Sequence, residues 1–431
     1  MKFGVRISIL LVVLQLLGGI FAANQLHAQT AVHVFAVQQA LQNDDFASAG
    51  NLIQEIWNND NASLYQLGDA AFEYFTHQQD QSQSPKLNKA QADSLLYIYS
   101  TGIQHDPLGP KRWLTDRFFL ISVAPHFEKK TQKWAFEAIK EDPFGMHNYV
   151  YKKWAEVASK AYLGEKISLK QFATEWLVVD EGLLMKELGP NDEARDAVRT
   201  RNSVRHLMRG SLPSCEILSA NFKDAILSNT LDPKGLETFL LVYSLQDCID
   251  ETLWDKAFET VSANGCQAWL LRTAGEISLR KIDRQNAIAM FRKSAECEAS
   301  AQLKALDMLQ VGWLQIELNN FREGTASFRK AITIYPNWGE PYLRLIDAYQ
   351  LGSRSCGMSE FDRKALNWLL IDLCEQMANA DPSYSKQATD LSYRFWQAAP
   401  NAKEAAFKGL SEGDSWPLKC WMNTTVRAKL H

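Results

Sequence analysis

The sequence is short of the residues that interrupt helices. Glycine and proline number only 22 and 13 among 431 residues, below the combined share of about 12% in average proteins. This low content excludes a collagen-like or low-complexity disordered chain and disfavours turn-rich all-β folds. The chain is nevertheless long enough for two or three domains, so it can bury a sizeable core.

An excess of charge of either sign is also missing. The 46 Lys and Arg residues nearly balance the 50 Asp and Glu residues, which gives a net charge of -4. Proteins that hold the phosphate backbone of nucleic acids usually present a strong positive charge. We therefore expect no nucleic-acid partner.

A long apolar run occurs only at the N-terminus. Lys2 and Arg6 introduce the apolar stretch 7–17, and small residues then lead to Ala28. This layout is typical of a secretory signal peptide, and the apolar stretch is shorter than the roughly 20 residues that cross a bilayer. We expect cleavage after Ala28, with a retained anchor as the less favoured alternative. Because no cysteine precedes Cys215, the cleavage site cannot carry a lipid.

The rest of the chain shows apolar residues at three- and four-residue spacing, which predicts helices. Between residue 267 and about residue 381 the pattern also repeats, because Gly275 precedes Phe291 by the same number of residues as Gly312 precedes Phe328. The matched positions are Gly275, Ala287 and Phe291 in one unit; Met308, Val311, Gly312, Gln315, Gly324, Phe328 and Pro336 in the next; and Tyr342, Leu345, Ile346 and Tyr349 in the third.

These positions resemble the tetratricopeptide-repeat family, whose repeat is a pair of antiparallel helices. The resemblance implies an all-α fold, a right-handed solenoid of helix pairs with a short extended C-terminal tail. Ile346 in a small-residue slot and Ala299 in a proline slot mark the repeats as degenerate. The expected organisation is a signal peptide at 1–28, degenerate helical repeats at 29–189, a charged junction at 190–211, tetratricopeptide-like repeats at 212–399 and a capping tail at 400–431.

The last residues carry a second, shorter resemblance. Cys420 and Trp421, followed by Thr425, Val426 and Arg427, are similar to the tail of bacterial tetratricopeptide proteins of the cell envelope. Together with the signal peptide, this implies a periplasmic or secreted protein that has no transmembrane segment after cleavage.

All seven cysteines follow residue 214, and disulfides are permitted in an exported protein. Cys215 opens a predicted helix and Cys248 closes the next one, and Cys266 and Cys297 do the same about one repeat later. In an antiparallel pair these two ends lie side by side, so each pair could form a bridge. Cys356 and Cys420 could form a third, whereas Cys374 shares an apolar helix face and is expected to be reduced. The alternative is seven reduced core thiols.

Motifs for catalysis and metal binding are weak. Gly409–Gly413 spells G-x-S-x-G around Ser411, but a strand before the serine is missing from the pattern. No His/Cys cluster has zinc spacing, so neither a metal nor another cofactor is expected. We interpret Asp180 and Glu181 as part of a polar helix face, with a pair of carboxylates of altered pKa as the less favoured alternative.

The one basic concentration lies in the predicted junction. Arg201, Arg205 and Arg209 share one helical face, and Arg195 and Arg199 lie nearby. Acidic neighbours dilute the charge, so we favour a solvated helix over a surface that holds an acidic partner or anionic headgroups.

Helix A of each tetratricopeptide repeat supplies the concave wall of the array. Carried over slot by slot, the resemblance implies a partner-binding groove, with the alternative that its tryptophans are packing residues whose register is misjudged. We expect an exported, non-enzymatic scaffold for a protein or peptide; the alternative is a carbohydrate-binding envelope protein that stacks sugars on Trp and Tyr. The groove residues are Trp269, Arg272, Glu276, Arg280, Gln310, Trp313, Glu317, Arg344 and Asp347.

Overall fold

The computed structural model describes residues 34–59, 64–77, 86–189, 191–248 and 251–430. The predicted signal peptide and the polar run 78–84 lie outside these residues. Two compact units divide between Lys166 and Ile167, whereas the sequence predicts a division after residue 189. A search of the helices in the described ranges finds no candidate membrane span.

Helices make up nearly all of the described part of the first unit. Residues 34–42 form α1, and two short 3-10 helices cover Leu64–Leu67 and Pro125–Lys130. The α-helices that follow are α2 (Phe46–Asn59), α3 (Gly68–His77), α4 (Lys89–His105), α5 (Lys111–Val123), α6 (Thr131–Glu141) and α7 (Asn148–Leu163).

The buried Trp113 organises the centre of the first unit. A Cβ atom at Gly102 would lie 2.3 Å from the Trp113 ring, and one at Gly68 would lie 2.5 Å from it. The indole N–H of Trp113 donates to Asp106 at 2.6 Å, where Asp106 ends α4. The glycines are therefore required because the indole fills the space that a side chain would need.

The second unit contains the longer run of helix pairs. At many helix starts a Ser, Asp or Asn side chain accepts a hydrogen bond from a backbone N–H group. Ser300, for example, accepts from the Leu303 N–H at the start of the helix Ala301–Glu317. The α-helices are α8 (Leu169–Lys186), α9 (Asn191–Ser211), α10 (Cys215–Leu227), α11 (Pro233–Leu245), α12 (Glu251–Ser262), α13 (Ala268–Arg280), α14 (Arg284–Cys297), α15 (Ala301–Glu317), α16 (Phe321–Ile334), α17 (Glu340–Ser353), α18 (Glu360–Ala380), α19 (Ser385–Ala398) and α20 (Ala402–Ala406).

The repeat positions hold successive helices together as the pattern predicts. A Cβ at Gly275 would meet the Phe291 ring at 3.0 Å, and one at Gly312 would meet the Phe328 ring at 2.5 Å. Helices α13 and α14, and α15 and α16, therefore approach closely at a glycine that receives an aromatic ring. The predicted all-α helical-repeat fold is confirmed, and these pairs are tetratricopeptide-like.

The segment predicted as a charged junction is helix α9, which packs against α8. Ala197, Val204 and Met208 lie on its buried face. The interpretation of 190–211 as a solvated junction is therefore wrong for the described residues of this segment. The apolar stripe, whose members are seven and four residues apart, is the physical reason, because a helix with such a stripe buries it.

The C-terminal tail forms a two-stranded antiparallel hairpin, β1 (Ser415–Leu418) and β2 (Thr424–Arg427), in which Trp416 pairs with Val426. Trp421 stacks on Tyr349 with ring centroids 5.4 Å apart, and the Trp368 N–H donates to Lys429 O at 2.8 Å. The tail therefore packs on α17 and α18 through an aromatic stack and a hydrogen bond.

Three cysteine pairs lie at disulfide distance: the two that the repeat spacing predicts and the third that the loop and tail positions of Cys356 and Cys420 allow. Their Cα atoms are 5.4 Å apart for Cys215–Cys248, 5.9 Å for Cys266–Cys297 and 5.7 Å for Cys356–Cys420. Cys374 is buried and free, and burial raises the pKa of its thiol to about 11. The first two bridges each join a residue at or just before the start of one helix to a residue at or just after the end of the next helix. Each bridge therefore stabilises its helix pair.

Candidate functional site: a charged cleft in the second unit

An open cleft lies among helices α8, α9, α11 and α13 of the second unit. We call it the charged cleft, because arginines and carboxylates form much of its lining. The charged and aromatic residues that line it are Asp180, Glu181, Arg201, Arg205, Arg209, Asp247, Trp254, Trp269, Arg272, Glu276 and Arg280.

Asp180 on α8 is the buried centre of the cleft's inner wall. Arg201 donates to its two carboxylate oxygens at 3.0 and 2.9 Å, and Arg205 donates to the same two oxygens at 2.6 and 2.7 Å. Burial opposes the ionisation of Asp180, but the two guanidinium groups outweigh it and hold the pKa well below its ordinary value. The pair of bidentate contacts therefore fixes α9 against α8.

Arg272 on α13 forms a second buried cluster with three carboxylates. It donates to Asp307 at 2.9 and 3.2 Å, to Glu298 at 2.6 Å and to Glu181 at 3.1 Å. Asp307 also accepts from Ser294 at 2.7 Å. Through Glu181, this cluster connects α8 to the helix pairs that begin with α13.

Excess negative charge around Arg272 alters the protonation of its partners. Burial raises the pKa of Glu181 to about 7, against the attraction of Arg272. Burial likewise raises the pKa of the Asp307 carboxyl above its ordinary value. One arginine cannot fully compensate three desolvated carboxylates, so Glu181 changes its charge near neutral pH.

The rim of the cleft is more open than its wall. The side chains of Arg205, Arg209 and Arg280 are 35, 36 and 47% exposed. Asp247 lies 2.7 Å from Arg280 and 3.7 Å from Arg209, so two arginines share one carboxylate. The half-buried Trp269 and the buried Trp254 supply apolar surface beside them.

The predicted groove residues divide into separate groups in the structure. Trp269, Arg272, Glu276 and Arg280 all line the charged cleft. Arg272 is nevertheless 7% exposed and bound to three carboxylates, so the prediction that it contacts a partner directly is wrong. On α13, Arg272 faces Glu181 of α8. The repeat pattern alone does not predict that α8 packs against this position.

The remaining predicted residues lie elsewhere. Arg344 stacks over the Trp313 ring at 5.0 Å and lies 3.6 Å from Asp347, which makes these three one cluster. Glu317 accepts from Arg284 at 2.7 Å. Gln310 lines a neighbouring cavity of about 1040 Å³ that it shares with Arg272, Glu276, Leu188 and Tyr384.

The structure also revises two interpretations of charged residues. Asp180 and Glu181 are more than a polar helix face, since both are bonded to arginines within the cleft. The stripe of Arg201, Arg205 and Arg209 is not a freely solvated face either, because Arg201 and Arg205 are bonded to Asp180 and all three line the cleft. Two features of the sequence could have indicated this ion-pair cluster. One is the four-residue spacing of the arginines, and the other is the presence of Asp180 within an apolar helix.

The described residues give no separate indication of a metal or hydrolase site. No group of three or more His, Cys, Asp or Glu side chains in the described ranges could hold a metal ion. Ser411 lies in the turn before β1, where its N–H donates to Asp414 at 2.7 Å. The G-x-S-x-G letters therefore lack the strand-turn-helix setting of a hydrolase nucleophile.

Comparisons with known proteins give structural matches alone. No family model matches the chain, and no curated protein does. A structure from the functional characterisation of Pseudomonas aeruginosa pilF is 11% identical, covers 56% of this chain and 90% of its own, and has a TM-score of 0.25. A tetratricopeptide repeat protein from Parabacteroides merdae is 10% identical over 72% and 93%, with a TM-score of 0.25. Yeast Tom70 is 8% identical over 85% and 95%, with a TM-score of 0.28.

TM-scores this low do not show a shared arrangement of whole chains. The tetratricopeptide-like character therefore rests on the chain's own helix pairs, in which Gly275 and Gly312 receive the rings of Phe291 and Phe328.

Proposed function

We propose that the protein is an exported, non-enzymatic interaction scaffold whose second unit binds a peptide segment of a protein partner in the charged cleft. The observation that carries the proposal is the composition of the rim. Three partly exposed arginines lie there beside the half-buried Trp269. Aromatic and arginine side chains in a concave site are the residues that most often anchor protein partners.

A rigid wall behind the rim supports this function. Arg201 and Arg272 are held by buried carboxylates, so the helices that carry the rim residues are fixed relative to one another. A preformed site loses less conformational entropy on binding than a flexible one. The cleft is therefore prepared to receive an extended or helical segment.

Export is supported by the cysteines. Three pairs at disulfide distance suit a compartment in which disulfides persist. The predicted signal peptide and the periplasmic or secreted location stay proposals, and amino-terminal sequencing of the mature protein would test them. We expect the mature chain to begin at Gln29, and an intact N-terminus would contradict the proposal.

Carbohydrate binding finds less support. Sugar-binding sites commonly use aromatic rings as open platforms, and none of the 13 tryptophans, all within the described ranges, is exposed. Trp421, for example, is already stacked between Phe321 and Tyr349. The exposed tyrosines Tyr97, Tyr149 and Tyr393 lie outside the charged cleft.

Affinity capture from the native host tests the scaffold function. Trp269→Ala with Arg280→Ala should remove the partners that the unaltered chain retains. Trp313→Ala is the matched control, since Trp313 is also half-buried but lies under Arg344 outside the cleft. Retention of the same partners by the Trp269/Arg280 variant would overturn the proposal, and loss only in Trp313→Ala would move the site to the other group of predicted residues.

A further inference from the structure

We infer that the charged cleft recognises a carboxylate-bearing peptide segment, one rich in Asp or Glu, through Arg205, Arg209 and Arg280. The inference rests on the proposed function, to which it adds the chemical class of the ligand. It is carried by a surplus of hydrogen-bond donors over acceptors at the rim, and this surplus follows from the contacts of each arginine.

Arg205 uses part of its donor capacity on the inner wall. Its Nε and Nη2 atoms donate to Asp180, the carboxylate that Arg201 already engages in a bidentate contact. Asp180 therefore offers one negative charge to two guanidinium groups. Within the described part of the chain, Nη1 of Arg205 has no acceptor.

Arg209 and Arg280 share their carboxylate in the same way. Arg209 donates from Nε to the Leu245 carbonyl oxygen at 2.9 Å, and its Nη1 atom is 3.7 Å from Asp247. Arg280 places its Nη1 atom 2.7 Å from the other oxygen of Asp247. Each guanidinium presents several N–H groups and no acceptor. Three arginines thus converge on one open cavity with more donors than these two carboxylates can satisfy.

A carboxylate suits this arrangement better than other acceptors. Guanidinium groups bind carboxylates through paired, charge-assisted hydrogen bonds. The lining of the cleft also includes the carboxylate of Glu276, which lies one turn before Arg280 on α13. Densely charged polyanions such as phosphorylated lipid surfaces would be repelled by this carboxylate, whereas a peptide can place its acidic side chains on the arginines and neutral ones beside Glu276. Trp269 and Leu241 offer apolar contact to those neutral residues.

Fluorescence anisotropy with labelled peptides tests the ligand class on the full mature chain. One probe is a short peptide of alternating glutamate and alanine, and its match replaces every glutamate by glutamine. We expect the glutamate peptide to bind saturably and at least about tenfold more tightly than the glutamine peptide. Raising the salt concentration should weaken the binding because the rim is partly exposed.

Single substitutions locate the binding. Arg280→Gln and Arg209→Gln should each weaken the glutamate peptide by about tenfold. Glu276→Gln should strengthen it by a few-fold, since an opposing charge is removed from the wall. Arg284→Gln is the control, because Arg284 is 41% exposed and pairs with Glu317 away from the cleft. Thermal unfolding of each variant checks that the fold is retained.

Several results would overturn the inference. Equal binding of the two peptides would exclude carboxylate recognition, and an equal loss in Arg284→Gln would place the binding outside the cleft. Competition by inorganic phosphate, or binding of vesicles of anionic lipid in place of the glutamate peptide, would assign the arginines to another anion. If the glutamate peptide fails while Trp269→Ala with Arg280→Ala still loses its partners, the scaffold stands and only the ligand class falls. Unchanged capture would refute the scaffold itself.

Discussion

Two regions of the second unit hold their helices together by different physics. Between α15 and α16, Gly312 lets the Phe328 ring approach so closely that a methyl group would lie 2.5 Å from it. Among α8, α9 and α13, Asp180 and Arg272 instead hold the helices through buried ion pairs. The first region is adapted to close packing, while the second leaves a cavity. The cavity that we propose as a binding site therefore lies where charged side chains, and not an apolar seam, join the helices.

Removal of Asp180 should produce the largest effect on stability. Asp180→Ala leaves Arg201, whose side chain is only 13% exposed, without its bidentate partner. The free energy of unfolding should fall by about 3–5 kcal/mol, measured by chemical denaturation. Asp347→Ala is the matched control, because Asp347 is 39% exposed beside Arg344 and should cost less than about 1 kcal/mol. Equal losses would show that the buried pairs have no special role.

The charged region should also respond to pH. The pKa of Glu181 is about 7 in the folded chain against 4.5 ordinarily. Its protonated form is therefore favoured by folding, and this stability is fully present below about pH 4.5 and is lost as pH rises through 7. The difference between the two pKa values corresponds to about 3 kcal/mol of stability. Because water reaches about a quarter of the Glu181 side chain, we expect a measured change of about 2–3 kcal/mol.

Glu181→Gln should reduce this pH dependence, which denaturation between pH 5 and 8 would measure. The Gln variant should lose less stability across this window than the unaltered chain. An identical slope in both proteins would contradict the raised pKa. Gly312→Ala serves as the comparison, because an apolar change should lower stability without altering the slope.

Overpacking of the apolar region should have the smallest of the three effects. Gly312→Ala should destabilise the fold by about 1–3 kcal/mol, because the added Cβ meets the Phe328 ring and the Gly324 carbonyl oxygen. Gly210→Ala in α9 is the control, since nothing lies within 4 Å of its Cβ position. That change should leave stability unchanged or raise it by up to about 1 kcal/mol. An equal destabilisation of both variants would contradict crowding at the Phe328 ring as the cause, because Ala favours the helix over Gly at either position.

The two regions also differ in how well they could be predicted. The Gly275–Phe291 and Gly312–Phe328 pairs recur at fixed separation, so local periodicity was sufficient to predict their contacts. The Cys215–Cys248 and Cys266–Cys297 pairs were predictable for the same reason, because each spans about one repeat. Both features depend on neighbouring helices in the chain.

The charged cleft depends on residues far apart in sequence. Arg272 meets Glu181 across a separation of 91 residues, and no repeat pattern specifies where α8 lies relative to α13. Arg272 was consequently placed in an open groove although it is buried. The arginine stripe of α9 was recognised, but its carboxylate partner Asp180 could not be assigned without the fold. Periodicity therefore predicted the helix pairs, whereas the site required the tertiary structure.

Hydrogen-deuterium exchange of the chain with and without its captured partner tests the central claim most directly. In the complex we expect slower exchange than in the free chain at residues 201–209, 241–248 and 269–280, which surround the charged cleft. Around Trp313 and Arg344 we expect little change. Protection that falls on α15 and α17 while α9 and α13 stay unchanged would contradict the claim that the cleft binds the partner.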